Sequence, residues 1–302
     1  MNDNQGWINV YKPLNISSFG VIKKIKKKFN FDKIGHAGTL DPQAEGILPI
    51  AIGKTTKLIS FISNQLKEYE FEIKWGEKTS TDDREGHIIE KSSYFPSYEE
   101  INNKLKKLKG IISQKPPKAS AVKIKGVRSY KLFKSDTNFE TIPRKVILHD
   151  SKIISYKDNE LTKLFIRCGK GFYVRSFVRD LAESLGTKGH VFSLKRTKVG
   201  KFKTNNAILL DDLLKIRQMQ LGFKEIHSSV SMLDDILAYE IDNEVLIREI
   251  SHGKSVKINR ENFPVGSLNL NENLEVFLTF KNSLISFGSF DGRLFKPKKV
   301  LI

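Results

Sequence analysis

An aspartate held by a following proline and preceded by two glycines gives this chain its most chemically suggestive segment, Gly35-His36-Ala37-Gly38-Thr39-Leu40-Asp41-Pro42. Glycine opens backbone conformations closed to other residues and lets the chain approach a ligand closely. Pro42 keeps Asp41 extended and out of a helix. The segment therefore presents a carboxylate on a defined loop, beside a histidine able to hydrogen-bond, stack or titrate. A carboxylate so displayed can act as nucleophile or general base; the same residues also suit a plain Asp-Pro turn. A second candidate is Lys170-Gly171-Phe172-Tyr173-Val174-Arg175. On a strand, Tyr173 and Arg175 share one face and Phe172 and Val174 the other. A ring that stacks a base then lies beside a guanidinium that pairs a carboxylate, although an ordinary arginine on an edge strand fits equally. Tyr69 is a site candidate too, or simply the first core residue of its strand. Two further patterns lead away from chemistry. Gly53-Lys54-Thr55 looks like the end of a phosphate-binding loop, but the glycine required five residues earlier is Leu48. The six histidines, at 36, 87, 149, 190, 227 and 252, lack the i, i+4 spacing of a metal site.

The elements that must hold these residues are partly readable. Ser17 and Ser18 precede Val21, Ile22, Ile25 and Phe29 on one helical face, with Lys23, Lys24, Lys26, Lys27 and Lys28 on the rest. Ser97-Tyr98-Glu99-Glu100 reads as a capping box before Ile101, Leu105 and Leu108, with Gly110 as the stop. Ser176 to Leu185 reads as a third helix ended by Gly186. Tyr69, Phe71, Ile73 and Trp75 alternate with charged residues as in a half-buried strand, and Leu164, Ile166 and Cys168 continue the strand theme. Val276, Leu278 and Phe280, then Asn282-Ser283, then Leu284 onward predict a hairpin. Strands and helices mix without regular βαβ spacing, which predicts an α+β fold followed by a small, mostly β module.

Composition bounds the function. The chain has 302 residues, 39% of them hydrophobic, enough for a substantial core, and a formal net charge of +18. Such a field attracts polyanions, nucleic acid before anionic membrane. The charge is uneven. Residues 231–302 hold 9 basic and 10 acidic side chains, against 43 and 24 in residues 1–230, which places a domain boundary near residue 230. Ile101 to Lys134 contains eleven Lys or Arg and no acid, and Asn4 to Phe31 six Lys and no acid. One such run suits a solvated helix face; several in one domain suit a phosphate-backbone footprint. A single cysteine, Cys168, excludes an intramolecular disulfide and a multi-cysteine zinc site. The opening residues lack the basic-then-apolar order of a signal peptide, and no apolar run is long enough to span a bilayer. The expectation is a soluble, cytoplasmic protein.

The run Gly6-Trp-Ile-Asn-Val-Tyr-Lys12-Pro13, Ser17-Ser18, Gly35 to Pro42 and Ala44-Glu-Gly-Ile-Leu-Pro49 resembles the TruB family of RNA pseudouridine synthases. Further matches follow in the family's order. They are Gly53-Lys-Thr-Thr-Lys57; Tyr69; Gly76 to Asp83; Pro116-Pro117 with Ser120-Ala121-Val-Lys123; Gly126-Val-Arg128-Ser-Tyr130; Gly171-Phe-Tyr-Val-Arg175-Ser; and Leu194-Lys-Arg-Thr197. The likeness is close over residues 6 to 215 and weaker to the end, where Phe295-Lys-Pro-Lys-Lys-Val resembles the close of the family's small PUA-like RNA-binding domain.

The resemblance implies a mixed-sheet catalytic domain with flanking helices over residues 1–230 and the PUA-like β domain over 231–302. Bacterial members isomerise uridine 55 in the TΨC arm of tRNA. By position, Asp41 matches the aspartate that attacks the uridine, Arg175 the arginine paired with it, and Tyr69 the tyrosine stacked on the flipped base. His36 matches a histidine supporting the opened RNA loop, Tyr173 and Leu194 match pocket-lining positions, and Lys12 and Pro13 a signature beside the site. The chemistry is consistent with these types: a base must leave the stack before a side chain can reach it, and the nucleophile must keep its charge among phosphates. No cofactor or metal is implied, since isomerisation returns every atom it takes. The implied partner is the TΨC stem-loop of tRNA, with no membrane, no obligatory protein partner and a monomeric enzyme. The chain departs from the family pattern at Ala119, where an aromatic is usual, at Lys195, where arginine is common, and at Tyr11, where an acid or amide is frequent.

Three other readings compete. One keeps the fold but acts on rRNA with a guide RNA; the lack of long basic tails speaks for the stand-alone tRNA enzyme. A second is a non-catalytic RNA-binding or RNA-folding protein, which the charge supports equally. A third is a glycoside hydrolase using Asp41 and Asp83 as paired carboxylates, which gives no reason for so basic a chain.

Overall fold

The computed structural model describes residues 5–157, 161–217, 225–233, 237–258, 274–281 and 283–302. Strand β1 (Gly6–Lys12) leads into helix α1 (Ser18–Phe29), followed by β2 (Ile34–His36), β3 (Ala44–Ile52), the short α2 (Ile59–Asn64) and β4 (Lys67–Trp75). The hairpin of β5 (Glu77–Thr79) and β6 (Ile88–Lys91) precedes α3 (Tyr98–Lys107) and β7 (Gly110–Gln114). A second small hairpin, β8 (Lys123–Ile124) and β9 (Val127–Arg128), runs into α4 (Ser129–Lys134). The long β10 (Arg144–Tyr156) and β11 (Leu161–Cys168) come next, then α5 (Val174–Ser184) and β12 (Gly189–Val199). Short strands β13 (Phe202–Lys203), β14 (Ile208–Leu209) and β15 (Ile226–His227), with α6 (Leu210–Lys215), complete the first sheet. A second sheet is built from β16 (Leu237–Glu240), β17 (Val256–Lys257), β18 (Leu274–Phe280), β19 (Ser283–Phe290) and β20 (Leu294–Val300), with α7 (Glu244–Ser251) after β16.

The first sheet runs β14-β1-β3-β12-β4-β11-β10-β7, with β2, β13 and β15 alongside. It is mixed: β3 pairs β12 and β1 pairs β14 in parallel, and the remaining neighbours are antiparallel. The second sheet is antiparallel except for β16 against β18. The expected α+β class, mixed sheet with flanking helices and separate C-terminal sheet, is therefore what forms.

Burial explains the two kinds of strand. β4 alternates strictly, because one face packs Tyr69, Phe71, Ile73 and Trp75 under α3 and α5 while the glutamates face outward. β3 is buried almost throughout, because both its faces are covered. Leu48, Ile50 and Ile52 meet Val21, Ile25 and Phe29 of α1, and Ile47 and Ala51 join a cluster with Phe277, Leu284 and Phe287 of the second sheet. Phe61 of α2 seals that junction edge-on, 5.5 Å from the Phe277 ring and 4.5 Å from the Phe287 ring.

Helix α1 begins where its sequence says, with Ser17 accepting from the Gly20 amide, and ends at Asn30 in the left-handed region. The capping box at Ser97 and Glu100 forms in full. The C-terminal hairpin pairs β18 with β19; Asn282 lies outside the described residues. One expectation is corrected. Tyr173 and Arg175 do not share a strand face, because the strand stops at Cys168 and α5 starts at Val174. Val174, Phe177, Val178 and Leu181 are spaced for a helix buried on β12, and that period prevails over the short alternation before it.

Candidate active site

Asp41 stands on a loop that is pinned at nearly every residue around it. The Ala37 amide donates to Pro49 O, and Ser18 Oγ both accepts from the Leu40 amide and donates to Leu40 O. The Asn15 amide donates to Pro42 O at 2.9 Å. Lys12, fully buried, donates its ammonium to Pro13 O, Ile16 O and Pro42 O at 2.8, 2.7 and 3.3 Å. Burial brings that ammonium down to about 8, against the counter-pull of Asp41. Arg196 of β12 closes the loop from the other side, donating to Gly38 O at 2.9 Å and Thr39 O at 3.4 Å, and through Nε to Ile47 O at 2.7 Å. Gly38, at φ +109, and Gly46, at φ +105, take conformations that side chains disfavour. At Gly46 a Cβ would sit 2.2 Å from Arg196 O, so only glycine lets β3 and β12 come this close.

Arg175 arrives on the first turn of α5. Its Nη2 lies 2.8 Å from Asp41 Oδ2 and its Nη1 3.3 Å from Asp83 Oδ2. The same two nitrogens donate to Ala119 O and Thr81 O, each at 3.1 Å. The guanidinium is 7% exposed and Asp83 9%, whereas Asp41 is 39% exposed. Asp83 is held further: its Oδ1 accepts from Thr81 Oγ1 at 2.6 Å and from the Glu85 amide at 3.0 Å. Of the two aspartates, Asp41 alone is free to meet a ligand.

Asp41 and Arg175 open onto a cavity of about 320 Å³. One wall comes from two adjacent strands, with Tyr69 of β4 facing Arg196 of β12 and Leu194 one same-face step from Arg196, and the Asp41 loop closes beside it. Tyr69, Leu194 and Tyr173 line it together with Asp41 and Arg175. The Tyr69 hydroxyl lies beside Arg196, and burial raises its phenol above the ordinary range. Tyr173 is raised likewise by burial, and its backbone is fixed by the Gln114 side chain at both N–H and C=O. Of the remaining expected residues, Lys12 and Pro13 lie under the Asp41 loop and do not line the cavity. His36 lies on β2 opposite Ile50, also outside the lining; burial, then the charge of Arg196, lowers its imidazole, and its buried Nδ1 has no hydrogen-bond partner among the described residues.

Among the lining residues, the cations Lys67 and Arg196 carry no role in the sequence reading. A period of two would have found both, since Lys67 precedes Tyr69 and Arg196 follows Leu194 by that step. Two departures from the family pattern touch each other, Lys195 Nζ lying 5.5 Å from the Tyr11 ring centroid. Among the described residues no group of three or more His, Cys, Asp or Glu is placed to hold a metal, and no helix is long and apolar enough to cross a membrane.

Comparisons with known proteins point one way. The pattern of the TruB family pseudouridylate synthase N-terminal domain matches residues 26–174, and that of the tRNA pseudouridylate synthase B C-terminal domain matches residues 175–238. Proteins named tRNA pseudouridine synthase B are 41% identical in Ehrlichia ruminantium, over 84% of this chain and 86% of that protein, and 36% identical in Bartonella bacilliformis, over 98% and 95%. One from Rickettsia bellii is 36% identical over 98% of both. Among solved structures, a Cbf5-Nop10-Gar1 complex shares the fold with a TM-score of 0.73 at 22% identity, covering 98% of this chain and 85% of the matched one. An archaeal box H/ACA Nop10-Cbf5 complex does so at 0.71 and 19%, covering 98% and 86%. Identity of this order over nearly the whole chain, with both family patterns matched in sequence, shows that the chain belongs to the TruB family of pseudouridylate synthases.

Proposed function

We propose that the protein isomerises uridine 55 in the TΨC loop of tRNA, acting alone as a cytoplasmic monomer, with Asp41 as nucleophile. The observation that carries this reading is the Arg175–Asp41 pair at 2.8 Å on the rim of a cavity with an aromatic wall. A uridine flipped from its stack enters between Tyr69 and Leu194, with Tyr173 beside it. Arg175, locked by two carbonyls and by Asp83, holds the Asp41 carboxylate aimed. The carboxylate attacks, the N-glycosidic bond breaks, and the base rejoins through C5; no atom is gained or lost, so no cofactor is called for.

The other residues serve this step at one remove. Lys12 and Pro13 underlie the loop that carries Asp41, and His36 flanks it from β2, on the side where an opened RNA loop would rest. The block over residues 231–302 acts as the PUA-like RNA-binding domain. Relatives named for tRNA at 36–41% identity support tRNA as the substrate over a guide-directed rRNA. A glycoside hydrolase would need Asp83 free to reach the substrate, and its oxygens are taken by Arg175, Thr81 and the Glu85 amide.

The test is tritium release from C5-labelled uridine in an unmodified tRNA transcript. Wild type should release it from the TΨC loop alone, without added protein or guide RNA, and Asp41→Asn should release none while still binding tRNA. Release by Asp41→Asn, or none by wild type, overturns the reading.

A further inference from the structure

The wall of the cavity behind Tyr69 carries two cations that no acid answers. Lys67 and Arg196 both line the cavity, yet they are only 7% and 1% exposed. Their hydrogen bonds go to neutral carbonyls: Lys67 Nζ to Ser63 O and Gln65 O at 2.9 and 2.7 Å, and Arg196 to the three loop and strand carbonyls above. Among the described residues neither has a carboxylate within ion-pair distance, because the two nearby aspartates are both taken by Arg175. The adjacent groups that could supply a negative charge stay neutral. Cys168, the cross-strand partner of Lys67, is pushed up to about 12 by burial, and burial keeps Tyr69 a phenol. Lys170, also on the cavity, adds a further positive charge. Burying unpaired cations is costly, and a protein usually avoids it with a partner. Here the same-face strand neighbours are Tyr69 beside Lys67 and Leu194 beside Arg196, so an apolar residue would fit the local pattern.

We propose that Lys67 and Arg196 form a fixed cationic wall that stabilises the negative charge arising on the uracil base during its isomerisation. The assignment rests on the reading of Asp41 as nucleophile. Whichever carbon Asp41 attacks, electrons move into the base. Attack at C1′ makes an O–C1′ bond and breaks C1′–N1, whose electron pair remains on N1 and spreads to O2 and O4. Attack at C6 makes an O–C6 bond and drives the C5–C6 π pair towards O4. On either route C1′ ends detached from N1 and joined to C5, and the charge is discharged once the C5 proton leaves, N1 gains a proton, and the carboxylate departs with its own pair.

Depth selects the base over the phosphate backbone. A flat base can slide past Leu194 and Tyr69 to reach these two side chains, while a phosphate is kept near the rim. The arrangement also needs no rearrangement at the moment of reaction, which is the condition under which fixed charges act most strongly. The bonds that hold Arg196 to Gly38 and Thr39 are the ones that hold the loop of Asp41, so cation and nucleophile are set by the same contacts.

The test compares single-turnover rates on tRNA transcripts carrying uridine or 5-fluorouridine, scored as loss of the target nucleoside after digestion. Conversion of uridine by wild type and its loss in Asp41→Asn first verify the reading on which the assignment depends. Fluorine withdraws electrons and stabilises an anionic base, so the fluorinated substrate needs the wall less. Lys67→Gln should slow uridine by about 100-fold and 5-fluorouridine by about tenfold, with tRNA affinity within about threefold of wild type. Lys67→Arg should restore most of the rate, and Lys67→Met, close in shape and apolar, repeats the comparison should the glutamine variant fold poorly. Equal losses on the two substrates would overturn the proposal in favour of a packing role. Weakened tRNA binding with an unchanged saturating rate would overturn it in favour of a phosphate contact.

Discussion

Asp41 and Asp83 are joined through one guanidinium, each on a different terminal nitrogen of Arg175, and they differ fourfold in exposure. The buried aspartate has its oxygens occupied by Thr81, Glu85 and the arginine. The exposed one has room for a substrate. Orientation therefore passes from Asp83 through Arg175 to Asp41.

Asp83→Asn should leave Asp41 and Arg175 chemically intact while loosening the guanidinium between them. Misplacement of a reacting group by about 1 Å can cost about 100-fold. The saturating single-turnover rate should fall by about that factor, with tRNA binding unchanged in a filter assay. A rate within twofold of wild type would show that the carbonyls of Thr81 and Ala119 suffice to hold Arg175.

Gly46→Ala should be among the most damaging single-methyl changes in the chain. The new Cβ would meet the Arg196 carbonyl at 2.2 Å, at a φ of +105. Relief requires β3 and β12 to part, at a cost of about 3 kcal/mol or more. Chemical denaturation should show that loss, and the variant that stays folded should have lost its activity, because Arg196 reaches the loop across the same gap.

The pH dependence of stability carries the signature of Lys67. Burial brings its ammonium down to about 8, below its ordinary value in the unfolded chain, with the charges of Arg196 and Lys170 pushing the same way and Cys168 and Tyr69 neutral beside it. Below pH 8 both states hold the proton and the native state bears the full cost of the buried charge. Above it the native state releases the proton first, the unfolded state holds more protons, and stability rises with pH up to the ordinary lysine range. The stability of wild type relative to Lys67→Met should therefore increase between about pH 8 and about pH 10. A flat difference would mean that Lys67 keeps its ordinary proton affinity.

The hairpin of β8 and β9 bears exposed Lys123, Lys125 and Arg128 directly after Ser120 and Ala121, which line the cavity. Replacing Lys123 and Lys125 by alanine should weaken tRNA binding alike for all sequences and reduce the magnitude of the log K against log salt slope by about 2. An unchanged slope would place the phosphate contacts elsewhere on the basic surface.

Local signals in the sequence were reliable where a short-range rule decides structure. Ser17 and Ser97 mark helix starts because their side chains bond the backbone three residues on, and the β4 alternation follows from one covered and one wet face. The Asp41 loop was legible because glycine and proline constrain the backbone whatever surrounds them. What escaped was set by long-range pairing. Arg196 joins the site only because β12 inserts between β3 and β4, and Asp83 joins Asp41 only through a residue on a distant helix. The strand assignment of Tyr173 and Arg175 failed for a related reason, as four alternating residues cannot outweigh the eleven-residue amphipathic helix that follows.

The Arg196 clamp also sets a timetable. Its guanidinium binds the Gly38 carbonyl across 158 residues of chain. A polypeptide growing from its N-terminus exposes the Asp41 loop early and acquires its fastener only when β12 has been made and has closed between β3 and β4. Closing so wide a loop is slow, since its entropy must be overcome before the contacts that reward it exist. Neither a nascent chain nor a fragment ending before β12 can hold the nucleophile in place, so competence switches on late and all at once, after the sheet has closed.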